Sequence, residues 1–251
     1  DMQFRSTSKS PTGEWTIIST QGVFNFDPIR RTYQSLFVPP DLIKNYAYSI
    51  LWDSQGRLWL GTNNEGLVRW TPSENKWEIF KDELESSNVK VGRISRLFED
   101  SQQNIWISRG GGFSVYESKK DTFYNFFEKI NPKNAVPTVI SFAEDHGGKI
   151  WIGSHHALLT YAEVAHPEKG IIQKYDLMSS HEITHLYHLN VDAKGMIWGL
   201  GNADLFQINP TTMEVGRHSL NYGVTEDDKY KFIILPDGRF VIGGQNKVWV
   251  A

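Results

Sequence analysis

The chain has 251 residues with 26 lysines and arginines against 29 aspartates and glutamates, and this near balance gives no support to charge-driven binding of nucleic acid or membrane surfaces. It contains no cysteine, which excludes disulfides and thiolate zinc sites. Nine tryptophans, 14 phenylalanines, ten tyrosines and 21 glycines favour a β protein with many glycine turns over a helical one.

The first predicted elements belong to an incomplete repeat over residues 14–36, EWTIISTQGVFNFDPIRRTYQSL, which matches the second to fourth strands of later units. The polar stretch before it, DMQFRSTSKS, does not have the pattern of a signal peptide. No apolar run approaches the roughly 18 residues of a membrane span. We therefore expect a cytosolic protein or a mature or excised soluble segment.

Four complete units follow, at approximately 48–80, 93–127, 139–176 and 185–220. Their central segments are ILWDSQGRLWLGT, LFEDSQQNIWISR, FAEDHGGKIWIGS and LNVDAKGMIWGLG. Each places an aspartate six residues before a tryptophan, and the pairs are Asp53 and Trp59, Asp100 and Trp106, Asp145 and Trp151, and Asp192 and Trp198. A period of about 45 residues with four short strands per unit is typical of a propeller blade.

The last unit, 230–251, matches only the first three strands and lacks both the aspartate and the tryptophan. The sequence therefore predicts one all-β domain over residues 1–251, a β-propeller of four-stranded blades. We expect six blade units, four complete and two partial, as part of a seven-bladed or larger assembly.

The repeated aspartates and tryptophans favour structural roles. Each aspartate directly precedes a turn, where its side chain accepts hydrogen bonds from nearby backbone amides. The tryptophans are expected to pack between neighbouring blades, because large aromatic side chains dominate core energetics. A ring of metal-binding carboxylates and a platform for stacking sugars are the alternatives.

The pattern Asp-x-x-Gly-x-[Leu/Ile]-Trp-[Ile/Leu]-Gly-Thr, followed by Gly-Leu and an aromatic strand, resembles the two-component regulator propeller repeat. The best copy is WDSQGRLWLGTNNEGLVRWTP at 52–72. The resemblance implies a periplasmic, ligand-sensing segment of a hybrid two-component sensor, the ectodomain of an inner-membrane histidine kinase and response regulator. It also implies detection of an oligosaccharide and signalling by domain rearrangement.

The same resemblance implies that this chain is not an enzyme, since no kinase, phosphoacceptor or receiver segment is visible in it. Expected partners are an oligosaccharide or other extracellular ligand, and a second propeller domain or a homodimer copy. Two alternatives stay open: a propeller enzyme such as a lyase of the streptogramin-inactivating type, and a pure protein-interaction scaffold.

The loops between the second and third strands occupy equivalent places in every unit but differ in chemistry. We expect them on one face around the central channel, where amide and guanidinium groups suit a hydroxyl-rich or carboxylated ligand. The candidates are Asn63, Asn64, Glu65, Arg109, His155, His156, Asn202 and Gln245. Solvated turn residues without a ligand are the competing interpretation. We predict no cofactor and no metal, since adjacent residues such as His155 and His156 point apart on an extended chain.

The segment HEITH at 181–185 fits the zinc-protease pattern, in which two histidines one helical turn apart bind the metal and the glutamate acts as general base. That chemistry needs a helix. The repeat register instead places His185 at the start of a first strand and His181 in the connection before it. Positions four apart on an extended chain are about 13 Å apart, so we predict no active-site helix over 181–191.

Overall fold

The computed structural model of the protein describes residues 4–36, 38, 47–63, 65–84, 92–127, 138–154, 157–201, 204–220, 231–243 and 248–250. It divides into two compact units, Asp1–Lys129 and Ile130–Ala251. Each unit contains three antiparallel sheets, and five of the six sheets have four strands connected in sequence order. These sheets are propeller blades, which confirms the predicted all-β propeller fold with six blade units.

The first unit contains blades one to three. Blade one consists of β1 (Phe4–Lys9), β2 (Trp15–Ser19), β3 (Gly22–Asp27) and β4 (Thr32–Ser35). Blade two consists of β5 (Ala47–Trp52), β6 (Leu58–Thr62), β7 (Leu67–Thr71) and β8 (Lys76–Phe80). Blade three consists of β9 (Arg96–Glu99), β10 (Ile105–Arg109), β11 (Gly112–Glu117) and β12 (Thr122–Phe127). Two single-turn 3-10 helices follow β7 and β8, at Pro72–Glu74 and Asp82–Leu84.

The second unit contains blades four to six. Blade four consists of β13 (Val139–Glu144), β14 (Lys149–Ser154), β15 (Leu158–Glu163) and β16 (Gln173–Asp176), with a 3-10 helix at Pro167–Lys169. The helix α1 (Leu177–His181) leads to blade five, which consists of β17 (His188–Val191), β18 (Ile197–Gly201), β19 (Asp204–Ile208) and β20 (Val215–Ser219). Blade six consists of β21 (Lys231–Ile234), β22 (Phe240–Gly243) and β23 (Val248–Val250).

The first blade is complete, which corrects the prediction of a partial unit over 14–36. The strand β1 pairs with β2 from Lys9 opposite Trp15 back to Phe4 opposite Ser19. The turn between β1 and β2 is not recognisable from the sequence, because Ser10 occupies the position that aspartate holds in the complete units. The backbone makes the same turn nevertheless, with Ser10 N donating to Glu14 O at 2.7 Å as Asp53 N donates to Arg57 O at 2.9 Å. The last blade has three strands among its described residues, as predicted.

The core of each unit lies between successive blades. The second strands β6, β10 and β18 are buried at every position, whereas the fourth strands β4 and β20 are largely exposed. Blades one and two meet through a cluster that includes Ile18, Ile50 and Val68. Alternating apolar side chains on facing sheets thus remove one face of each blade from water, the main stabilising contribution in a protein of this kind.

Hydrogen bonds between a serine side chain and a backbone group also join successive blades. Ser8 Oγ in blade one accepts from Trp52 N in blade two at 2.8 Å. Ser49 Oγ in blade two donates to the carbonyl of Ile94, just before blade three, at 3.0 Å. In the second unit Ser141 Oγ accepts from Leu189 N at 2.8 Å. Each of these bonds links two positions that are separated by about one repeat.

The HEITH segment does not form a zinc-binding helix. The helix α1 ends at His181, and Glu182 closes it with a left-handed backbone at φ 56°. The chain then runs without regular structure to an isolated bridge residue, His185, and the blade strand starts only at His188, three residues later than predicted. As predicted, His181 and His185 therefore do not share one face of a helix. No helix among the described residues has the length and apolar character needed to cross a membrane.

Candidate functional site

The repeated aspartate and tryptophan form a hydrogen-bonded pair in blades two to five. In each blade the indole Nε1 donates to the Oδ2 atom of the aspartate six residues earlier, at 2.7 Å for three pairs and 2.8 Å for Trp198. The other carboxylate oxygen accepts two backbone amides of the turn, such as Gln55 N and Arg57 N for Asp53. The predicted structural role of the aspartates is confirmed by these contacts.

Two of these carboxylates accept a further hydrogen bond from a side chain of their own turn. Asp53 also accepts from Arg57 Nε at 2.6 Å, and Asp100 accepts from Asn104 Nδ2 at 2.9 Å. Asp53 is fully buried and Asp100 is 4% exposed. Within the described part of the chain, no group of three or more histidine, cysteine, aspartate or glutamate side chains is arranged to hold a metal ion.

Three of the four tryptophans, Trp59, Trp151 and Trp198, pack between blades, as predicted. Trp59 of blade two lies 5.1 Å from Tyr116 of blade three between ring centroids, and Trp198 of blade five lies 4.6 Å from Phe240 of blade six. Trp59, Trp106 and Trp151 are fully buried. A buried ring presents no face to a sugar, so a stacking platform must be built from other aromatic side chains.

An arginine strengthens the contact between blades two and three. Arg69 Nη1 donates to Tyr116 Oη at 2.8 Å, and its Nε and Nη2 atoms donate to Glu78 Oε2 at 3.0 and 2.7 Å. Its guanidinium lies 4.9 Å from the centroid of the Phe80 ring. Burial lowers the pKa of Arg69, but the Glu78 and Tyr116 contacts outweigh it and raise the pKa overall. This network is structural, because its charges are paired within the sheet.

Three of the eight predicted ligand candidates lie in described parts of the structure. Asn63 and Glu65 are half-buried in the loop between β6 and β7, and Thr62 Oγ1 fixes that loop by accepting from Glu65 N at 3.0 Å. Asn63 also bridges to Arg93 in the connection that precedes blade three. The remaining candidates fall outside the described residues; they are Asn64, His155, His156, Asn202 and Gln245.

Arg109, the third described candidate, is not a surface loop residue. It is the last residue of β10 and only 2% exposed. Its Nη1 donates to the carbonyl of Leu84, and its guanidinium lies 4.2 Å from the centroid of the Phe127 ring. The arginine thereby holds the 3-10 turn Asp82–Leu84 against blade three.

Three residues that the sequence analysis did not single out are connected to this loop through Arg93, which forms the bridge with Asn63. The guanidinium of Arg5, on β1, lies 4.3 Å from the centroid of the Tyr48 ring, and that of Arg93 lies 5.2 Å from it. Tyr48 occupies a register irregularity between Ala47 and Ser49 on β5. We name Arg5, Tyr48, Asn63, Glu65 and Arg93 the loop-face cluster. Its chemistry, two guanidinium groups, a phenol, an amide and a carboxylate, suits a hydroxyl-rich or carboxylated ligand.

The sequence offered one signal for these residues. Arg5 precedes Ser10, and Tyr48 and Arg93 precede Asp53 and Asp100, each on the first strand of its blade or on the connection before it, and the repeat pattern specifies none of the three. A large polar or charged residue at a position that the repeat does not specify is a candidate for function, since the repeat itself accounts for the fold.

Comparison with known proteins gives one sequence match. Residues 41–64 match the family model described as two component regulator propeller. No curated protein matches the chain. The matched segment ends in the loop that carries Asn63 and covers the turn of Asp53, so it coincides with the first and second strands of blade two.

Several solved structures share the fold. The extracellular domain of a putative hybrid two component system from B. thetaiotaomicron has a TM-score of 0.73 at 13% identity, over 98% of this chain and 33% of that chain. PorZ, a surface component of the type-IX secretion system of Porphyromonas gingivalis, has a TM-score of 0.73 at 14% identity, over 98% and 38%. A gluconolactonase from Xanthomonas campestris has a TM-score of 0.63 at 10% identity, over 98% and 84%.

These likenesses establish a common fold among proteins with different activities, because the same architecture hosts unrelated functions. The present chain spans about a third of the length of the B. thetaiotaomicron extracellular domain. The observations that point to one family of propellers are the match of residues 41–64 and the aspartate and tryptophan pairs that recur in blades two to five. The chain is a β-propeller protein that carries the two-component regulator propeller repeat in its second blade.

Proposed function

We propose that this chain is the ligand-sensing propeller segment of a hybrid two-component sensor and that it works in the periplasm as part of an inner-membrane sensor's ectodomain. The observation that carries the proposal is the match of residues 41–64 to the two component regulator propeller model. Its fold likeness to the extracellular domain of a putative hybrid two component system supports the same assignment. In this proposal kinase and receiver chemistry resides in other parts of the parent protein.

The proposed ligand is an oligosaccharide that binds at the loop-face cluster. Charge-assisted hydrogen bonds from Arg93 and Arg5 suit a carboxylate or several hydroxyl groups, and Tyr48 supplies an aromatic face between them. Arg93 is exposed, so its guanidinium can turn toward a ligand at small cost. Asn64, His155, His156, Asn202 and Gln245 remain proposed contributors from the equivalent loops of their blades.

Signalling in this proposal is a change in domain arrangement. A ligand shifts an equilibrium only by the difference between its affinities for the two states, so the sugar must favour one arrangement over the other. A second propeller domain or a second copy of the chain is the proposed partner across which the change passes.

The test is a binding screen with defined probes. Purified chain is titrated with neutral hexasaccharides of glucose, xylose and mannose and with hexagalacturonic acid, and the melting temperature and heat of binding are measured. Arg93→Ala is expected to weaken binding of the responding sugar by about tenfold to a hundredfold, since a hydrogen bond to a charged group contributes about 1.5–3 kcal/mol.

Arg239→Ala is the matched control, because Arg239 is an exposed arginine that pairs with Asp237 on a turn of blade six and belongs to the other compact unit. Its affinity for the sugar should equal that of the unmodified chain. If none of the probes stabilises or binds the chain, the oligosaccharide part of the proposal is wrong.

A further inference from the structure

We propose that the junction of blades five and six binds a small aromatic carboxylate, whose ring enters a cavity beside Trp198 and whose carboxylate pairs with Lys194. Both blades belong to the Ile130–Ala251 unit. The inference goes beyond the proposed function, because it names a different class of ligand and uses no residue of the loop-face cluster.

A cavity with a volume of about 530 Å³ lies between the two blades. Blade five lines it with the turn between β17 and β18 and with side chains of β18 and β19, and blade six lines it with the turn between β21 and β22. The larger apolar residues of the lining are Val191, Trp198, Ile234, Leu235, Pro236 and Phe240. Ligand sites typically have volumes of about 300–1,000 Å³, so a ligand of one or two rings fits.

In blades two and four, the residue opposite the repeated tryptophan on the third strand covers the indole ring. Arg69 lies opposite Trp59, and its guanidinium is 5.3 Å from the centroid of the indole. Tyr161 lies opposite Trp151, with 5.3 Å between the two ring centroids. A long or aromatic side chain at this position therefore fills the space beside the tryptophan.

Blade five has smaller residues at the corresponding places. Gln207 lies opposite Trp198, and Gly216 lies opposite Gln207 on the fourth strand. Directly paired residues project from the same face of a sheet, so less side-chain volume is available beside this indole. Trp198 is 9% exposed and borders the cavity, whereas the tryptophans of the other three pairs are fully buried.

The accessible apolar surface in the cavity favours a ligand with an aromatic body. Phe240 and Ile234 of blade six are half-buried, and Pro236 is exposed on the turn between β21 and β22. The rings of Phe240 and Trp198 are 4.6 Å apart at an interplanar angle of 61°. A ligand ring that packs beside this edge-to-face pair gains aromatic contacts and removes apolar surface from water.

Lys194 is the charged group of the lining that is available to a ligand. Asp237 is already paired with Arg239, whose Nε and Nη2 atoms both lie 2.8 Å from Asp237 Oδ2. The carboxylate of Asp192 accepts two backbone amides of its turn and the indole Nε1 of Trp198. Lys194 is exposed and forms no ion pair with the part of the chain that the structure describes. Its ammonium group can therefore donate charge-assisted hydrogen bonds to a carboxylate.

The experiment titrates the complete 251-residue chain with three probes that share a naphthalene ring and differ in charge. They are 2-naphthylacetate, 2-naphthylethanol and 2-naphthylmethylamine, and ligand-observed NMR measures their binding. We expect 2-naphthylacetate to bind with a dissociation constant of about 1 mM, the affinity that an ordinary ligand of this size reaches. The alcohol should bind about twofold to fivefold more weakly because it lacks the ion pair, and the amine should bind more weakly still.

Gln207→Tyr fills the cavity with the side chain that covers the tryptophan of blade four. It should weaken binding of the acid and the alcohol by about tenfold or more, and blade four shows that this position accommodates a tyrosine. Gln173→Tyr is the matched control, because Gln173 is an exposed residue of blade four that does not line the cavity. Lys194→Met should remove only the advantage of the acid over the alcohol. Since Lys194 is exposed, this variant keeps the test decisive if Gln207→Tyr unfolds.

Circular dichroism verifies the folding of every variant. Loss of binding in Gln207→Tyr with retention in Gln173→Tyr, and a preference for the acid that Lys194→Met abolishes, supports the site. Unchanged binding in a folded Gln207→Tyr overturns it, as does failure of all three probes to bind the unmodified chain. Equal affinities for the acid and the alcohol overturn the aromatic carboxylate as the ligand. None of these results bears on the oligosaccharide proposal, which has its own probes and its own variant, Arg93→Ala.

Discussion

Trp106 and Asp100 are joined by a 2.7 Å hydrogen bond from the indole Nε1 to Oδ2. The same aspartate accepts Gln102 N and Asn104 N on its Oδ1 atom, each at 2.9 Å, so one carboxylate closes the turn and anchors the buried ring. Because the arrangement recurs in four blades, the spacing of six residues between aspartate and tryptophan is a requirement of hydrogen-bond geometry.

Replacing this carboxylate by the isosteric amide should therefore destabilise the protein. In Asp100→Asn one of the two oxygens becomes an NH2 group, which faces either the turn amides or the donors of Trp106 and Asn104. We expect a loss of about 1–3 kcal/mol in the free energy of unfolding, the cost of leaving buried donors unmet. Urea denaturation measures it. Asp237→Asn, at an exposed turn, should change stability by less than about 0.5 kcal/mol; equal losses in both variants would contradict the role of the pair.

A glycine at the junction of blades two and three should resist substitution. A Cβ atom on Gly61 would lie 2.5 Å from Ile94 Cγ2 and 2.8 Å from Ile94 O, and it would also collide with Ser49 Oγ. Gly61→Ala is expected to cost about 1–3 kcal/mol, as overpacking does in well-packed cores. Gly243 holds the same place in blade six, where a Cβ atom would meet no atom of the described residues within 4 Å. Thermal denaturation should show a clear fall for Gly61→Ala and almost none for Gly243→Ala.

The pH dependence of stability should report the contact between Glu78, Arg69 and Lys76. Partial burial raises the pKa of Glu78, but hydrogen bonds from Lys76 and Arg69 outweigh it and hold the pKa below its usual value of 4.5. A carboxyl group with a depressed pKa in the folded state stabilises the protein fully above its unfolded pKa, and that contribution disappears as the pH falls through the folded pKa.

Urea denaturation from pH 7 down to pH 3 tests this linkage. The unmodified chain should be more stable than Glu78→Gln at pH 7, and the difference should shrink below about pH 4.5, the ordinary range of a glutamate. The same comparison in an Arg69→Gln background removes one source of the depressed pKa, so the pH dependence should weaken there. A difference between the two proteins that is constant with pH would refute the linkage.

Zinc should leave the protein unchanged despite the HEITH sequence. Helix α1 ends at His181, and Glu182 already has a left-handed backbone, so His185 does not follow on the same helical face. A specific site would raise stability by about 2.7 kcal/mol at a metal concentration a hundred times its dissociation constant. We expect no shift in melting temperature with zinc chloride or after EDTA treatment. A zinc-dependent rise that His181→Ala and His185→Ala both abolish would show that the interpretation is wrong.

Most of the fold is predictable from the repeat. Four recurrences of aspartate and tryptophan specified the blade, its strand number and the burial of the rings, because one hydrogen-bonded pair requires both residue types at a fixed spacing. The sequence identifies only part of blade one, since Ser10 and Thr16 replace the aspartate and tryptophan pair while the backbone turn is still formed. A turn made by backbone hydrogen bonds leaves little trace in side-chain identity.

The candidate site was harder to predict than the fold. Asn63 and Glu65 lie in the expected loop, but Arg109 is buried against Phe127, because the short turn at Leu84 covers it. Nothing in the repeat indicates which connection folds over a neighbouring strand. Arg5 and Arg93 meet at Tyr48 from positions 88 residues apart in the sequence, a proximity that only the packing of blades creates.

The serine bonds between blades have a consequence for how the chain reaches its structure. They connect residues 44, 45 and 48 positions apart, so the longest loop that must close at any of these seams is about one repeat. The entropic cost of closing a loop grows only slowly with loop length, and folding of this chain incurs that cost for one blade at a time. Assembly can proceed along the chain by adding each blade to its predecessor within a unit. A tandemly duplicated blade would include the serine that bonds to the next blade. Such a chain can therefore become longer by whole blades without changes in the core between the existing blades.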